Sequence, residues 1–318
     1  MPASNINDLI MIPAYEQANL VARREVSPVE LCEAAIERIE KLDHKVGAFI
    51  TVASEQALEA ARSAESRAIS DNLLGPLDGV PIGIKDIEAT AGIRTTVGSR
   101  VFEDTIPDFD SIVVERVRAA GMVIVGKTNT PEIAIHMGTV TDNNVRGQCR
   151  NPWDLNRTTA GSSGGSAAAI AADMTQIGIG SDGGGSIRIP ASFCGVFGLK
   201  PSNGRVPRAR GLGRPDPNQF SQSGPMANDV RDAALLLQAI SGPHPEDPQQ
   251  LLRSKPPNFS AGIGENLRGL RVGFSSDLGY GAVDPQVLEQ VISGLSTFEK
   301  LGANVEESEI ILESDLAD

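Results

Sequence analysis

The chain has 318 residues, 40% of them apolar, and its 28 basic and 41 acidic side chains leave a formal charge of −13. That length holds one large α/β domain or two ordinary ones, and the apolar share supports a full core. So acidic a chain repels phosphate backbones, which argues against nucleic acid as its main direct partner.

The first residues, "MPASNINDLIMIPAYEQ", lack the basic flank and apolar run of a signal peptide. Next, "SPVELCEAAIERIEKLD" predicts a helix. Ser27 is placed to cap it, Pro28 suits the first turn, and Glu30 completes a capping box. Leu31, Ala35, Ile39 and Leu42 then form one apolar stripe. A second helix, "SEQALEAARSAESRAIS", carries mostly alanine on its inner face. "GPLDGVPIGIKD" reads as a turn feeding a short buried strand that delivers Lys85.

Helix and strand alternate from there: "SIVVERVRAAG" helix, "MVIVG" strand, "GGSAAAIAADM" helix, "QIGIGSD" strand, "ANDVRDAALLLQAIS" helix. This alternation predicts an α/β fold with a mixed or largely parallel central sheet flanked by helices. Five prolines between Pro243 and Pro257 mark an extended surface connection. After it, "LRVGFS", "PQVLEQVISGLSTFEKLG" and "ANVEES" resume a βαβ rhythm. The whole of 1–318 reads as one domain. Its parts are a helical lead-in over about 1–70, a core over about 71–230, the connection over about 241–260 and the βαβ passage over 268–318.

Cys32, Cys149 and Cys194 show no C-x-x-C pair and no metal-ligand spacing, which suits a reducing compartment. "AAAIAADM" is far too short for a membrane span. The expectation is a soluble cytoplasmic protein with no membrane partner, metal or cofactor. The arginines of "GRVPRARGLGR", Arg205, Arg208, Arg210 and Arg214, suit a solvated loop rim or an anionic partner equally well.

"GMVIVGKT" matches the phosphate-loop pattern G-x-x-x-x-G-K-[ST]. That chemistry needs a bare loop between the glycines, and here Met122 to Val125 are the best strand candidate in the region. The expectation is therefore a strand, with Lys127 structural or at a rim.

Two glycine-serine nests carry the chemistry: "AGSSGGSA" at 160–167, before a helix, and "SDGGGSIR" at 181–188, after a strand. Backbone N–H groups converging in such turns favour negative charge, either a phosphate or the oxyanion of acyl transfer. For the second chemistry Ser186 is the candidate nucleophile, and it needs a base. His44 and His244 lie among charges and prolines, and His136 reads as an ordinary core or surface histidine. A lysine serves instead if burial keeps it neutral. Lys85 follows an apolar run, and on a strand the adjacent Asp86 points to the opposite face.

Together "GVPIGIKD", "GKTNTPE", "NPWDLNRTTAGSSGGSAAA", "GSDGGGSIRIPASFCGVFGLKPS" and "SGPMA" resemble the amidase signature family, most strongly between Gly79 and Ser202. Ala160 and Gly183 stand where many members have other residues. The resemblance implies hydrolysis of a carboxylic amide to acid plus ammonia or amine, through a serine acyl-enzyme on a Ser–cis-Ser–Lys triad. By motif position it implies Ser186 as nucleophile, Ser162 as bridging serine after a cis peptide from Gly161, and Lys85 as general base. The amides of Gly183, Gly184, Gly185 and Ser186 are implied as the oxyanion hole.

Asp182 and Arg188 either lock the second nest or are an ordinary cap and a surface charge. Ser163 and Ser166 read as structural hydrogen-bonding groups, and Trp153 as packing. The expected partner is a small-molecule amide, with a homodimer left open. Two other readings stand beside this one. The first is the glutaminase chain of a tRNA-dependent amidotransferase, which works with partner subunits. The second is a truncated, catalytically silent homologue, since family members continue past "ILESDLAD".

Overall fold

The structure is a computed structural model of the chain and describes residues 6–135, 140–209, 220–247, 256–279 and 281–308. It divides into two compact units, Met1–Ser260 and Ala261–Asp318.

The first unit opens with helices α1 (Ile6–Leu9), α2 (Ala14–Ala22) and α3 (Pro28–Val46). Ser27 caps α3 as its sequence predicts. Its hydroxyl accepts from the Val29 amide at 2.9 Å, while its own amide donates to Glu30 at 2.8 Å. Strand β1 (Phe49–Val52) and helix α4 (Ser54–Ile69) follow. The inner face of α4 is Ala57, Ala61, Ala64 and Ala68, all buried, and small side chains let it sit close to α3.

Next come β2 (Pro81–Lys85), α5 (Ile112–Ala119) and β3 (Val123–Thr128). The short hairpin β4 (Arg150–Asn151) and β5 (Asp154–Thr158) leads to α6 (Gly164–Ala171) and β6 (Ile177–Asp182). Helix α7 (Arg188–Cys194), strands β7 (Phe197–Gly198) and β8 (Gln222–Ala227), and helix α8 (Val230–Ile240) complete the unit.

The sheet order is β1-β3-β2-β6-β8-β7. Its centre, β3-β2-β6, is parallel, and the strands on either side pair antiparallel. Every residue of the three central strands is buried, as their short apolar runs predict. Ile82, Ile84, Ile177 and Ile179 pack under α5 and α8. Phe49, Val123 and Val125 pack under α3, α4 and α6. Each fully buried Ile or Val contributes about 1.5–3 kcal/mol, so the sheet is the rigid frame.

The phosphate-loop lookalike lies in this frame. Gly126, Lys127 and Thr128 belong to β3, paired with β1 on one side and β2 on the other. A backbone held in two ladders does not curl around a phosphate. Lys127 is fully buried and donates to the Glu88 carbonyl, to Thr90 at 2.8 Å and to Thr95 at 3.1 Å. Burial pulls its amine down to about 8, against the upward pull of Asp86, Glu88 and Asp110.

Helix α6 meets the end of β3 through glycine. The Gly165 amide donates to the Asn129 carbonyl at 3.1 Å, and a Cβ at 165 would overlap the Asn129 amide and lie 2.6 Å from the Ala48 carbonyl oxygen. Backbone cannot yield as a side chain can. Gly165→Ala is expected to destabilise the fold by about 3 kcal/mol, read as a lower urea midpoint at unchanged m-value.

In the second unit, β9 (Arg271–Phe274) and β10 (Asn304–Glu307) pair in parallel, joined through helix α9 (Pro285–Lys300). Asp284 caps α9 by accepting from the Gln286 amide at 2.8 Å. Among the described residues no helix is long and apolar enough to cross a membrane.

Candidate active site

β2 and β6 run parallel with Ile84 opposite Ile179, so Lys85 and Ser181 emerge at the same end of the sheet. Helix α6 begins beside them, preceded by Ser162 and Ser163. Lys85 is fully buried, and its Nζ lies 2.6 Å from Ser162 Oγ, 2.9 Å from Ser163 Oγ and 3.0 Å from Ser181 Oγ. The neighbouring carboxylate turns away. Asp86 Oδ2 accepts from the Thr96 amide at 3.0 Å and from its hydroxyl at 2.5 Å. Burial pushes the Asp86 carboxyl upward, while Lys127 and Thr96 pull it down. The alternation expected of a strand thus holds at residues 85 and 86.

The peptide between Gly161 and Ser162 is cis. Behind it, Thr141 donates to the Ala160 carbonyl at 2.8 Å. Ala160 itself takes φ 58°, a left-handed conformation that glycine adopts more easily.

Ser186 sits on the facing turn, half-buried. Its carbonyl accepts from the Ser163 amide at 3.0 Å, tying the two nests together through backbone. The Ser186 hydroxyl has no hydrogen-bond partner among the described residues. The structure thus joins Lys85 directly to Ser162, and joins Ser186 through its carbonyl to the neighbouring Ser163, which also touches Lys85.

Asp182 organises the second nest. Its carboxylate accepts from the amides of Gly185 at 2.7 Å, Ile187 at 3.2 Å and Arg188 at 3.3 Å. It also takes a two-pronged contact from the Arg188 guanidinium, at 2.9 and 3.0 Å. Asp182 thereby caps the turn into α7 and is bonded within the loop that carries Ser186. Burial pushes the Asp182 carboxyl up, but Arg188 and the three amides outweigh it and hold it down at about 2, below the ordinary 3.8.

A depressed carboxylate contributes stability that is present above pH 3.8 and lost as pH falls through about 2. Asp182→Asn is expected to cost about 2–4 kcal/mol at pH 7. The deficit against wild type should shrink between pH 4 and pH 2, as urea titrations across that range would read.

Packing demands glycine at 185 but not at 184. Gly185 has φ 108°, and a Cβ there would lie 2.5 Å from Ile189 Cδ1. A Cβ on Gly184 would meet nothing within 4 Å, so packing alone does not require glycine there. The amide of Gly185, grouped with its neighbours in the sequence, is directed at Asp182. Among the described residues the amides of Gly183, Gly184 and Ser186 have no acceptor.

Two contacts carry no signal in the sequence. Ser163 reads there as merely structural and Ser181 does not stand out, yet both touch Lys85. Of the other candidates, His44 is exposed in the last turn of α3, and His244 accepts from the Glu246 amide at 3.3 Å. His136, Arg210 and Arg214 lie outside the described residues. Arg208 donates to the Ser221 carbonyl at 2.6 Å, and Arg205 covers the Phe259 ring at 5.4 Å. Trp153 is largely exposed and donates to the Cys194 carbonyl at 2.7 Å.

The family model described as Amidase matches residues 30–317. The chain belongs to the amidase signature family. The A subunit of glutamyl-tRNA(Gln) amidotransferase from Anaeromyxobacter sp. (strain K) is 45% identical over 287 residues, covering 90% of this chain and 57% of that protein. Its counterpart from Geobacter sp. (strain M21) is 42% identical over 300 residues, 94% of this chain and 61% of that one.

Among solved amidase structures, a bacterial aryl acylamidase of the amidase signature family superposes with TM-score 0.86 at 33% identity, over 94% of this chain and 61% of that one. The peptide amidase from Stenotrophomonas maltophilia superposes with TM-score 0.81 at 29% identity, over 93% and 62%. The chain spans about three-fifths of the length of the amidase-family proteins it matches.

Proposed function

We propose that the chain hydrolyses a carboxylic amide to acid and ammonia or amine through an ester on Ser186, with Ser162 as proton relay and Lys85 as base. The observation that carries this is the 2.6 Å contact between a fully buried lysine amine and Ser162, beside a turn that presents Ser186 next to bare glycine amides. Complete burial disfavours the ammonium form and so favours the neutral amine a base requires.

Ser186 Oγ attacks the amide carbon. Its proton passes to Ser162 Oγ as Ser162 passes its own to Lys85 Nζ. The π pair of the carbonyl moves onto oxygen, where the amides of Gly183, Gly184 and Ser186 meet the developing charge. The C–N bond then breaks, and a proton returns from Lys85 through Ser162 to the leaving nitrogen. Water repeats the sequence on the ester: its oxygen bonds to the acyl carbon and its proton goes to Lys85 through Ser162. The C–O bond to Ser186 breaks, and the returned proton restores the serine as the acid leaves. The Ser186 hydroxyl turns onto Ser162 when substrate enters, since catalytic hydrogen bonds tighten in the substrate complex.

The test is a panel of aryl and alkyl amides assayed for ammonia or amine release, with and without a fluorophosphonate. Turnover blocked by a single adduct on Ser186 is the expected result. Turnover indifferent to the reagent overturns the assignment. A second reading, the glutaminase chain of an amidotransferase, is favoured by the 45% and 42% identity to such chains. It predicts glutamine hydrolysis that rises when the partner subunits are supplied. Three buried, unpaired cysteines fit a reducing cytoplasm.

A further inference from the structure

We propose that Ser163 and Ser181 are positioning residues that set the direction of the proton relay, by occupying two of the three bonding directions of the Lys85 amine so that the third accepts from Ser162. This rests on the acyl-transfer reading above and adds to it a reason why the relay runs one way.

An sp³ amine nitrogen has three bonding directions besides its own carbon, and three hydroxyls lie within hydrogen-bonding distance of it here. In the neutral amine two of those directions are N–H donors and one is a lone pair. Which hydroxyl faces the lone pair decides the chemistry. If Ser162 faces it, the Ser162 proton points at Lys85 and its own lone pairs are left to receive the proton of Ser186. If another hydroxyl faces it, Ser162 accepts from the amine and turns its proton toward Ser186, and the relay is blocked.

Ser163 is constrained by its other bonds. Its Oγ donates to the Ser181 carbonyl at 3.2 Å and accepts the Ser181 amide at 3.1 Å. With its one proton so committed, it offers Lys85 only an acceptor. Clamping both main-chain groups of Ser181 also fixes where that residue's hydroxyl lies. The contacts to Ser163 and Ser181, 2.9 and 3.0 Å, are ordinary N–H···O lengths, whereas the 2.6 Å contact to Ser162 falls below that range, which runs from about 2.7 to 3.2 Å.

Ser163 further ties the relay to the nucleophile, because its amide holds the Ser186 carbonyl. The carboxylates adjoining these residues in sequence are committed elsewhere: Asp86 to Thr96, and Asp182 to Arg188 and its own turn.

The experiment measures the second-order rate of fluorophosphonate labelling at Ser186 from pH 5.5 to 10, on the full chain, with melting temperatures in parallel. Ser163→Ala and Ser181→Ala are expected to slow labelling about 10–100-fold. Each should also move the midpoint of the rising limb about 0.5–1 pH unit lower, because the ammonium form loses an acceptor. Ser181→Thr, which keeps the hydroxyl, restores both rate and midpoint. Ser166→Ala is the control: its hydroxyl donates to the Ile179 carbonyl at 3.0 Å and shares a bond with Thr128, so it lowers the melting temperature and leaves the midpoint in place.

Should Ser163→Ala fail to fold, the Ser181→Ala and Ser181→Thr pair carries the comparison. An unmoved midpoint in folded alanine variants overturns the inference while Ser186 reactivity, and the hydrolase reading with it, stands. A folded wild-type chain that takes up no label at Ser186 removes both.

Discussion

Replacing Ser186 by alanine is expected to lower amide turnover by about 10⁴-fold or more, the usual consequence of deleting a nucleophile. The fold should be almost indifferent to the change. Ser186 is held by its carbonyl, not by its side chain, and its hydroxyl has no partner among the described residues. Stability should therefore stay within about 0.5 kcal/mol, as for other substitutions that break no contact. Thermal melting and initial rates on the same preparation check both halves. Full turnover in a folded Ser186→Ala chain would end the acyl-enzyme account.

Lys85→Ala is expected to leave only a remnant, with turnover down about 10²–10⁴-fold, the span general-base catalysis supplies. Here the fold does register the loss, since a fully buried long side chain disappears from among three hydroxyls. Lys85→Met keeps most of the volume and separates chemistry from folding. The sharper readout is the pH profile. Under the proposed mechanism the neutral amine is the working form, so the wild-type rate is expected to climb as pH rises and the ammonium gives up its proton. In either variant that climb should vanish. A limb that persists in Lys85→Met, measured where chemistry is rate-limiting, would assign the titration to another group.

Much of the frame is legible in the sequence because local rules and tertiary demands agree in it. The capping box at Ser27 and Glu30, the alanine face of α4 and the apolar runs of β2, β3 and β6 each have a short-range signal, and each element forms where that signal lies. Strand β8 is the counterexample. "QSGPMA" contains glycine and proline, both poor strand residues, yet it pairs with β6 from Ala227 to Gln222 because long-range contacts override the local preference. The site divides the same way. Lys85, Ser162 and Ser186 stand out by motif, and the lookalike loop at Lys127 is excluded because a strand fills it. The contacts of Lys85 with Ser163 and Ser181 depend on which strand lies beside β2, and no spacing within a single segment records that.

The opposed directions of residues 85 and 86 make the chemistry unusually sensitive to chain length. Deleting a single residue from Pro81–Ile84 would put the amine on the face now filled by Ile84 and swing the Asp86 carboxylate toward Ser162. Frame-preserving indels in this strand should be purged from any library selected for turnover, while point substitutions of similar bulk at Ile82 survive.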